Sequence, residues 1–341
     1  MPRRARRLIA PLAALAVVLP AAQAADGTIT TLAGTTAGYA GDGGPATQAQ
    51  LSGPQGVATA ADGAVLIADT RNNAVRRVAP NGIITTIAGG SQGAGGDGGP
   101  AVNAELDAPS DVAALPDGSV LIADAGNARI RRVTPGGVIV TVAGSTPGLS
   151  GDGGLAIAAQ INGPRGLAPL PGGGFLFADA GNGRIRRVSP TGVITTVAGT
   201  VPGLGGDGGP ALAARLNAPS GVTLMADGAY LVADTGNGRV RRVGPDGVIT
   251  TVTAGLAAPT DAAPLSNGGV LVSYAGGDRI RRMSPLGFVY TVAGGRRGLA
   301  GDGGPESAGL LDTPSSLLMT GAGVLVGDTG NNRVRRLSDI G

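Results

Sequence analysis

The sequence predicts an all-β, six-bladed β-propeller built from four-stranded blades. Three observations lead there: a motif repeated six times, four strand-like runs per repeat, and a repeat split between the two ends of the chain. The motif Ala-Asp-x-x-Asn-x-Arg places its Asp at Asp69, Asp124, Asp179 and Asp234, each 55 residues apart. The fifth unit has Tyr274 there, 40 residues on, and the sixth has Asp328, 54 further. A second motif, Gly-Asp-Gly-Gly, centres on Asp42, Asp97, Asp152, Asp207 and Asp302. Five units therefore carry an extra segment of about 15 residues over the ~40-residue propeller repeat, and the fifth lacks it.

The third unit shows the strands. Gly166–Leu170, Gly174–Ala178, Arg184–Val188 and Val193–Ala198 read as strands a, b, c and d. Between them lie Pro171-Gly172-Gly173, Ala180-Gly181-Asn182-Gly183 and Ser189-Pro190-Thr191-Gly192, which supply the fixed or positive φ that tight turns need. The expected mature chain opens with Thr28–Ala33, a d strand with no a, b or c before it. It ends on Arg333–Leu337, a c strand with no d after it. The N-terminal strand should complete the last blade and remove an open edge. The core must be aliphatic, because only 2% of the residues are aromatic.

Charge is unevenly placed. The formal net charge is +3, and every basic residue is Arg. Arg3, Arg4, Arg6 and Arg7 precede an apolar run, Leu8 to Leu19, and then Ala22-Gln23-Ala24. This is the pattern of a secretory signal peptide over residues 1–24, leaving 25–341 as the propeller. Without those four arginines, 22 Arg face 23 acids, so the remaining chain is close to neutral and nucleic acid is not an expected partner. The expectation is a secreted or extracytoplasmic bacterial monomer with no membrane span and no disulfides, since Cys is absent.

The phrases Leu66-Ile67-Ala68-Asp69-Thr70-Arg71-Asn72-Asn73 and Ala178–Arg186 closely resemble the NHL repeat, over residues 28–337. The longer units, with Ala40-Gly41-Asp42-Gly43-Gly44-Pro45-Ala46, resemble those of teneurin-type and bacterial secreted NHL proteins. The resemblance implies the propeller. It does not select a function, because the family includes RNA binders, sensor domains, adhesion proteins and lyases.

Each repeated charge has a structural reading. Asp69, Asp124, Asp179, Asp234 and Asp328 end strand b, and Arg129, Arg184, Arg239, Arg279 and Arg333 open strand c. Across a b–c hairpin they are expected to pair. Unit one has Ala74 in the Arg position and unit five has Tyr274 in the Asp position, so Arg71 and Asp278 are the expected stand-ins. The later arginines of strand c, such as Arg131-Arg132, should cover apolar surface at the blade edge. The Gly-Asp-Gly-Gly segments lack the Lys of a phosphate loop and the several carboxylates of a calcium loop. Each should form a loop and a short helical turn opened by Pro, its Asp capping exposed amides. Together they should raise a rim around one mouth of the channel.

A ligand site is expected where the units differ. Strand a lines the channel, and the residues after its opening Pro are Gln55, Ser110, Arg165, Ser220, Thr260 and Ser315. At the next level stand Asp111 and Asp261, in opposite blades. No catalytic residue is assigned. His and Cys are absent, which removes the usual general base, the best nucleophile and the commonest metal ligands. The expected role is an interaction scaffold for a protein or cell-wall glycan, with no cofactor. The alternative is a gluconolactonase-like, calcium-dependent hydrolase or lyase working at the channel mouth.

Overall fold

The computed structural model describes residues 27–338; the expected signal peptide lies outside them. Six four-stranded antiparallel sheets form the ring. Blade one comprises strands a Pro54–Thr59, b Val65–Asp69, c Ala74–Val78 and d Ile84–Gly89. Blades two and three repeat this pattern from Pro109–Ala114 to Ile139–Ala143 and from Pro164–Pro169 to Ile194–Ala198. Blade four runs from Val222–Leu224 to Ile249–Thr253 and blade five from Pro259–Pro264 to Val289–Gly294.

Blade six closes the ring. Its strands a to c are Pro314–Thr320, Gly323–Asp328 and Arg333–Leu337, and its outer strand is the N-terminal Ile29–Ala33. Ile29 registers with Leu337, and Thr31 with Arg335. The first strand thus caps the edge the last strand would leave open.

Strand b is buried along its full length in blades one to five, because sheets press on both of its faces. The core is divided accordingly. One aliphatic cluster joins Leu66 and Val75 of blade one to Val112 and Ile122 of blade two, and another joins Leu121 and Ile130 to Phe175 and Phe177 of blade three. Stability therefore comes from blade-on-blade burial, at about 25 cal/mol per Å² of apolar surface.

The Gly-Asp-Gly-Gly segments differ from expectation. Each includes one short 3-10 turn opened by Pro or Leu, as at Ala46–Gln48 and Ala211–Ala213, and the cap positions accept no side-chain hydrogen bond. The Asp is engaged elsewhere. In blade one the segment lies along the outer strand: Gly43 N–H donates to Ile84 O (2.8 Å) and Ile84 N–H donates to Gly44 O (3.0 Å). Asp42 Oδ2 accepts the Thr86 amide at 2.9 Å. From the other side, Gly34 at the end of the preceding outer strand donates to Ala46 O. The segments do meet the b–c turns, where Asn72 Nδ2 donates to Gly38 O at 2.6 Å. They are straps that clasp neighbouring outer strands and tie them to the b–c turns.

Candidate functional site: the channel mouth

The repeated charges form a buried network, but through a different arginine. Arg131, Arg186, Arg241 and Arg335 are fully buried, and so are the Asp residues that end strand b. In blade three, Arg186 lies 3.1 Å from Asp179 and 2.9 Å from Asp152 of the strap. Blade one pairs Arg76 with Asp69 (3.2 Å) and Asp42 (2.6 Å). The first arginine of strand c sits at the turn and finds varied partners: Arg129 donates to Ala94 O, Arg279 to Gly295 O and Arg333 to Asn331 O, while Arg239 donates to Thr251 Oγ1 and lies 3.8 Å from Asp207 of the strap. The third sits one pleat deeper, and its stem runs back under the strap to both carboxylates. Arg129, Arg184, Arg239, Arg279 and Arg333 are therefore not the partners of Asp124, Asp179, Asp234, Tyr274 and Asp328. Blade one needs no stand-in, since Arg76 is present despite Ala74. Asp278 accepts from Thr313 N and faces Arg297 instead of Arg279. The outer arginines of these pairs meet aspartates of the a–b turns, as Arg132 meets Asp117 and Arg242 meets Asp227.

Each strand-b Asp also accepts from a backbone amide and from the Asn three residues on. Ser52 N lies 2.7 Å from Asp69, and Asn72 Nδ2 lies 2.8 Å away. Burial pushes the carboxyls of Asp69, Asp124, Asp179 and Asp234 up, against the pull of these donors and of the arginine. Asp328 is raised to about 6 for the same reason.

All eight residues expected at the mouth line one cavity of about 480 Å³ at the ring centre: Gln55, Ser110, Asp111, Arg165, Ser220, Thr260, Asp261 and Ser315. The hydroxyls staple neighbouring blades. Ser110 Oγ donates to Pro164 O (2.8 Å), and Ser220 Oγ to Thr260 O (2.7 Å). Thr260 Oγ1 donates to Pro314 O (2.8 Å), and Ser315 Oγ to Gln55 O (2.8 Å). Ser316, at the level of Asp111 and Asp261, also reaches Gln55 O through its Oγ; sequence reasoning missed Thr329, whose Oγ1 donates to Pro54 O at 2.7 Å. A Thr directly after the motif Asp was the available signal.

Two junctions carry no hydroxyl staple at this level, blade one to two and blade three to four. There stand Gln55 and Arg165. Neither side chain makes a hydrogen bond or ion pair among the described residues. Surrounding protein pulls the Arg165 guanidinium below its ordinary range, yet its side chain is exposed to solvent in the mouth.

Asp111 and Asp261 sit one level deeper, half-open to the lumen but enclosed by protein. Asp111 Oδ2 accepts Leu167 N of blade three at 2.6 Å, and Asp261 Oδ2 accepts Leu317 N of blade six at 2.9 Å. On the other side each carboxylate lies against a glycine of the preceding blade. A Cβ on Gly56 would lie 2.2 Å from Asp111 Oδ1, so only glycine permits the approach. A bulge in the a–b pairing at this level turns both aspartates toward the lumen. Burial raises Asp111 to about 7, with a further push from the Asp261 charge, and burial raises Asp261 to about 6.

A calcium ion takes six to eight oxygens. Here two carboxylates each hold a backbone amide, and no third Asp, Glu, His or Cys joins them among the described residues. This donor set does not fit the ion.

Residues 28–95 match the family model described as the teneurin NHL domain, and residues 216–243 match the NHL repeat. The propeller carries NHL-type repeats at these two stretches. Over 229 residues, 59% of this chain, it is 31% identical to mouse teneurin-4, of which the match covers only 8%. The NHL propeller superposes on an auxiliary nutrient binding protein from Bacteroides ovatus with a TM-score of 0.67. That pair shares 14% identity, over 92% of this chain and 76% of the other. A gluconolactonase from Xanthomonas campestris gives a TM-score of 0.59 at 14% identity, covering 91% and 89%. Fold alone therefore accommodates binding proteins and enzymes, and the side chains must discriminate.

Proposed function

We propose that this NHL propeller is an extracytoplasmic, non-catalytic binding domain that receives a small carboxylate-bearing ligand, such as a sugar acid or the acidic end of a cell-wall glycan, at the channel mouth. The observation that carries this reading is the contrast within one polar ring. The ring hydroxyls are spent on inter-blade staples, while Arg165 and Gln55 keep their side chains free at the entrance. An unpaired guanidinium in a partly desolvated concavity is a carboxylate receptor. Asp111 and Asp261 beneath it offer acceptors for ligand hydroxyls, and the Asp261 charge adds to the burial that raises Asp111.

The test is a thermal-shift screen of uronic, aldonic and amino acids against the full chain. A stabilising acid is expected to lose its effect in Arg165→Ala and in the triple variant Arg165→Ala/Asp111→Asn/Asp261→Asn. An unchanged shift in the triple variant sinks the proposal. The same assay addresses the calcium-dependent hydrolase alternative: a calcium-dependent rise in Tm that vanishes in Asp111→Asn would favour it. No calcium shift is expected.

A further inference from the structure

Blade five is the one blade whose unit has no strap; five residues, 254–258, join its first strand to blade four. On the other five blades the strap supplies the same three contacts. Its N–H bonds to the C=O of the first residue of strand d, its next C=O accepts that residue's N–H, and its Asp pairs with the deep arginine of strand c. Blade two shows them as Gly98 N to Ile139 O (2.8 Å), Ile139 N to Gly99 O (3.1 Å) and Arg131 to Asp97 (2.7 Å). Blade six, closed by the N-terminal strand, shows Gly303 N to Ile29 O (2.8 Å), Ile29 N to Gly304 O (3.1 Å) and Arg335 to Asp302 (2.8 Å).

The equivalent residues in blade five are Val289 and Arg281, placed by the register Met283↔Val289 and Arg281↔Thr291. Among the described residues, no segment pairs with the outer edge at Val289. Arg281 meets neither carboxylate, since Tyr274 replaces the strand-b Asp; the guanidinium lies over the Tyr274 ring at 5.1 Å. It is partly exposed, where its five counterparts are buried. The surrounding residues have also changed character. Leu286, Phe288 and Tyr290 occupy positions that hold Asn81, Ile83 and Thr85 in blade one, and they are 83%, 59% and 52% exposed. Such an edge is a template for strand addition.

We propose that the outer edge of blade five docks an extended segment of a partner protein, and that this segment carries an acidic residue that pairs with Arg281. The segment takes the place a strap holds elsewhere. Its backbone pairs with the N–H and C=O of Val289, its acidic side chain stands one residue before that pair, and its apolar neighbours cover Phe288 and Tyr290. This is strand augmentation with a charge register. A second copy of the chain is a poor occupant, because edge-to-edge pairing would bring two Arg281 guanidinium groups to one interface with no carboxylate between them. The straps of that copy are already bonded to their own blades.

The probe is a fluorescent synthetic peptide with the chain's own strap sequence, Gly38 to Ala49, titrated into the full-length protein and followed by anisotropy. Saturable binding is expected at or below about 1 mM, with amide-exchange protection at Val289 and Thr291. A peptide with Asn in place of Asp42 should bind about tenfold more weakly, the worth of one charge-assisted pair, as should the wild-type peptide to Arg281→Gln. Phe288→Thr/Tyr290→Thr should weaken binding without altering the fold, which the unchanged far-UV spectrum checks. Arg165→Ala should leave binding unchanged, which separates this site from the channel mouth. Absence of saturable binding, equal affinity for the Asp and Asn peptides, or protection elsewhere than blade five overturns the proposal.

Discussion

Arg186 and Arg184 are two residues apart on one strand, yet their surroundings differ sharply. Arg186 is fully buried between Asp179 and Asp152, whereas Arg184 sits at the turn. Removing one member of a buried pair leaves uncompensated charge, which costs about 3–5 kcal/mol. Arg186→Ala should lower stability by that order in urea unfolding, while Arg184→Ala, at a half-buried turn position with no carboxylate partner, should cost clearly less. The sequence contained the clue. Position 74 tolerates Ala, whereas the third position of strand c is Arg in all six units: Arg76, Arg131, Arg186, Arg241, Arg281 and Arg335. Direct opposition across the hairpin suggested the first arginine, but side-chain length and depth decide the pairing.

The lumen aspartates allow a pH test with a definite sign. Asp111 is raised to about 7 in the folded protein, above its ordinary value of 3.8. Between those values the native state binds a proton that the unfolded chain does not, so this group's contribution to stability falls as pH rises toward 7. Asp111→Asn removes the charge and keeps an acceptor for Leu167 N. Its Tm relative to the unmodified protein should therefore rise at pH 8 and show little gain at pH 4. A gain that is equal at both pH values would contradict the burial argument. Asp111 and Asp261 were legible as unusual residues in the sequence. Their pairing with amides of the next blade and their seats against Gly56 and Gly221 were not, since these contacts join residues 40 to 56 positions apart.

At the scale of elements, the strap replaces the edge protection that a further strand would give. Asp42 serves two purposes at once: it neutralises Arg76 and accepts the outward amide of Thr86. Asp42→Ala should cost about 1–3 kcal/mol and speed hydrogen exchange at the Thr86 amide. Unchanged exchange there would mean that the strap's backbone alone covers the edge. The Pro-led helical turns and the strand boundaries were readable from local residue types, to within two residues in blade three. The course of the straps was not. Gly-Asp-Gly-Gly has no apolar period, and its destination is set by hydrogen bonds to strand d, some 40 residues downstream in blades one to four and at the far end of the chain in blade six.

For the whole molecule, closure constrains processing. The closing strand begins at Ile29, only a few residues after the expected cleavage site at Ala24. Cleavage there keeps the strand; cleavage beyond Ala33 would leave blade six with three strands and an open edge. N-terminal sequencing of exported protein should therefore begin at Ala25, and a chain starting at Gly34 should lose the cooperative thermal transition. Recovery of the unprocessed chain from the cytoplasm alone would contradict the export reading.

Blade count, the four-strand unit, the split closing blade and the positions that line the channel mouth were all legible in the order of amino acids. These follow from local turn chemistry and from a repeat that writes the same contacts at a fixed spacing. Which arginine meets which aspartate, where the straps lie and which ring side chains stay free were set by packing between blades. Those outcomes depend on depth, reach and on which neighbour already occupies a hydrogen-bonding group. Such properties belong to pairs of blades, and no single repeat carries them.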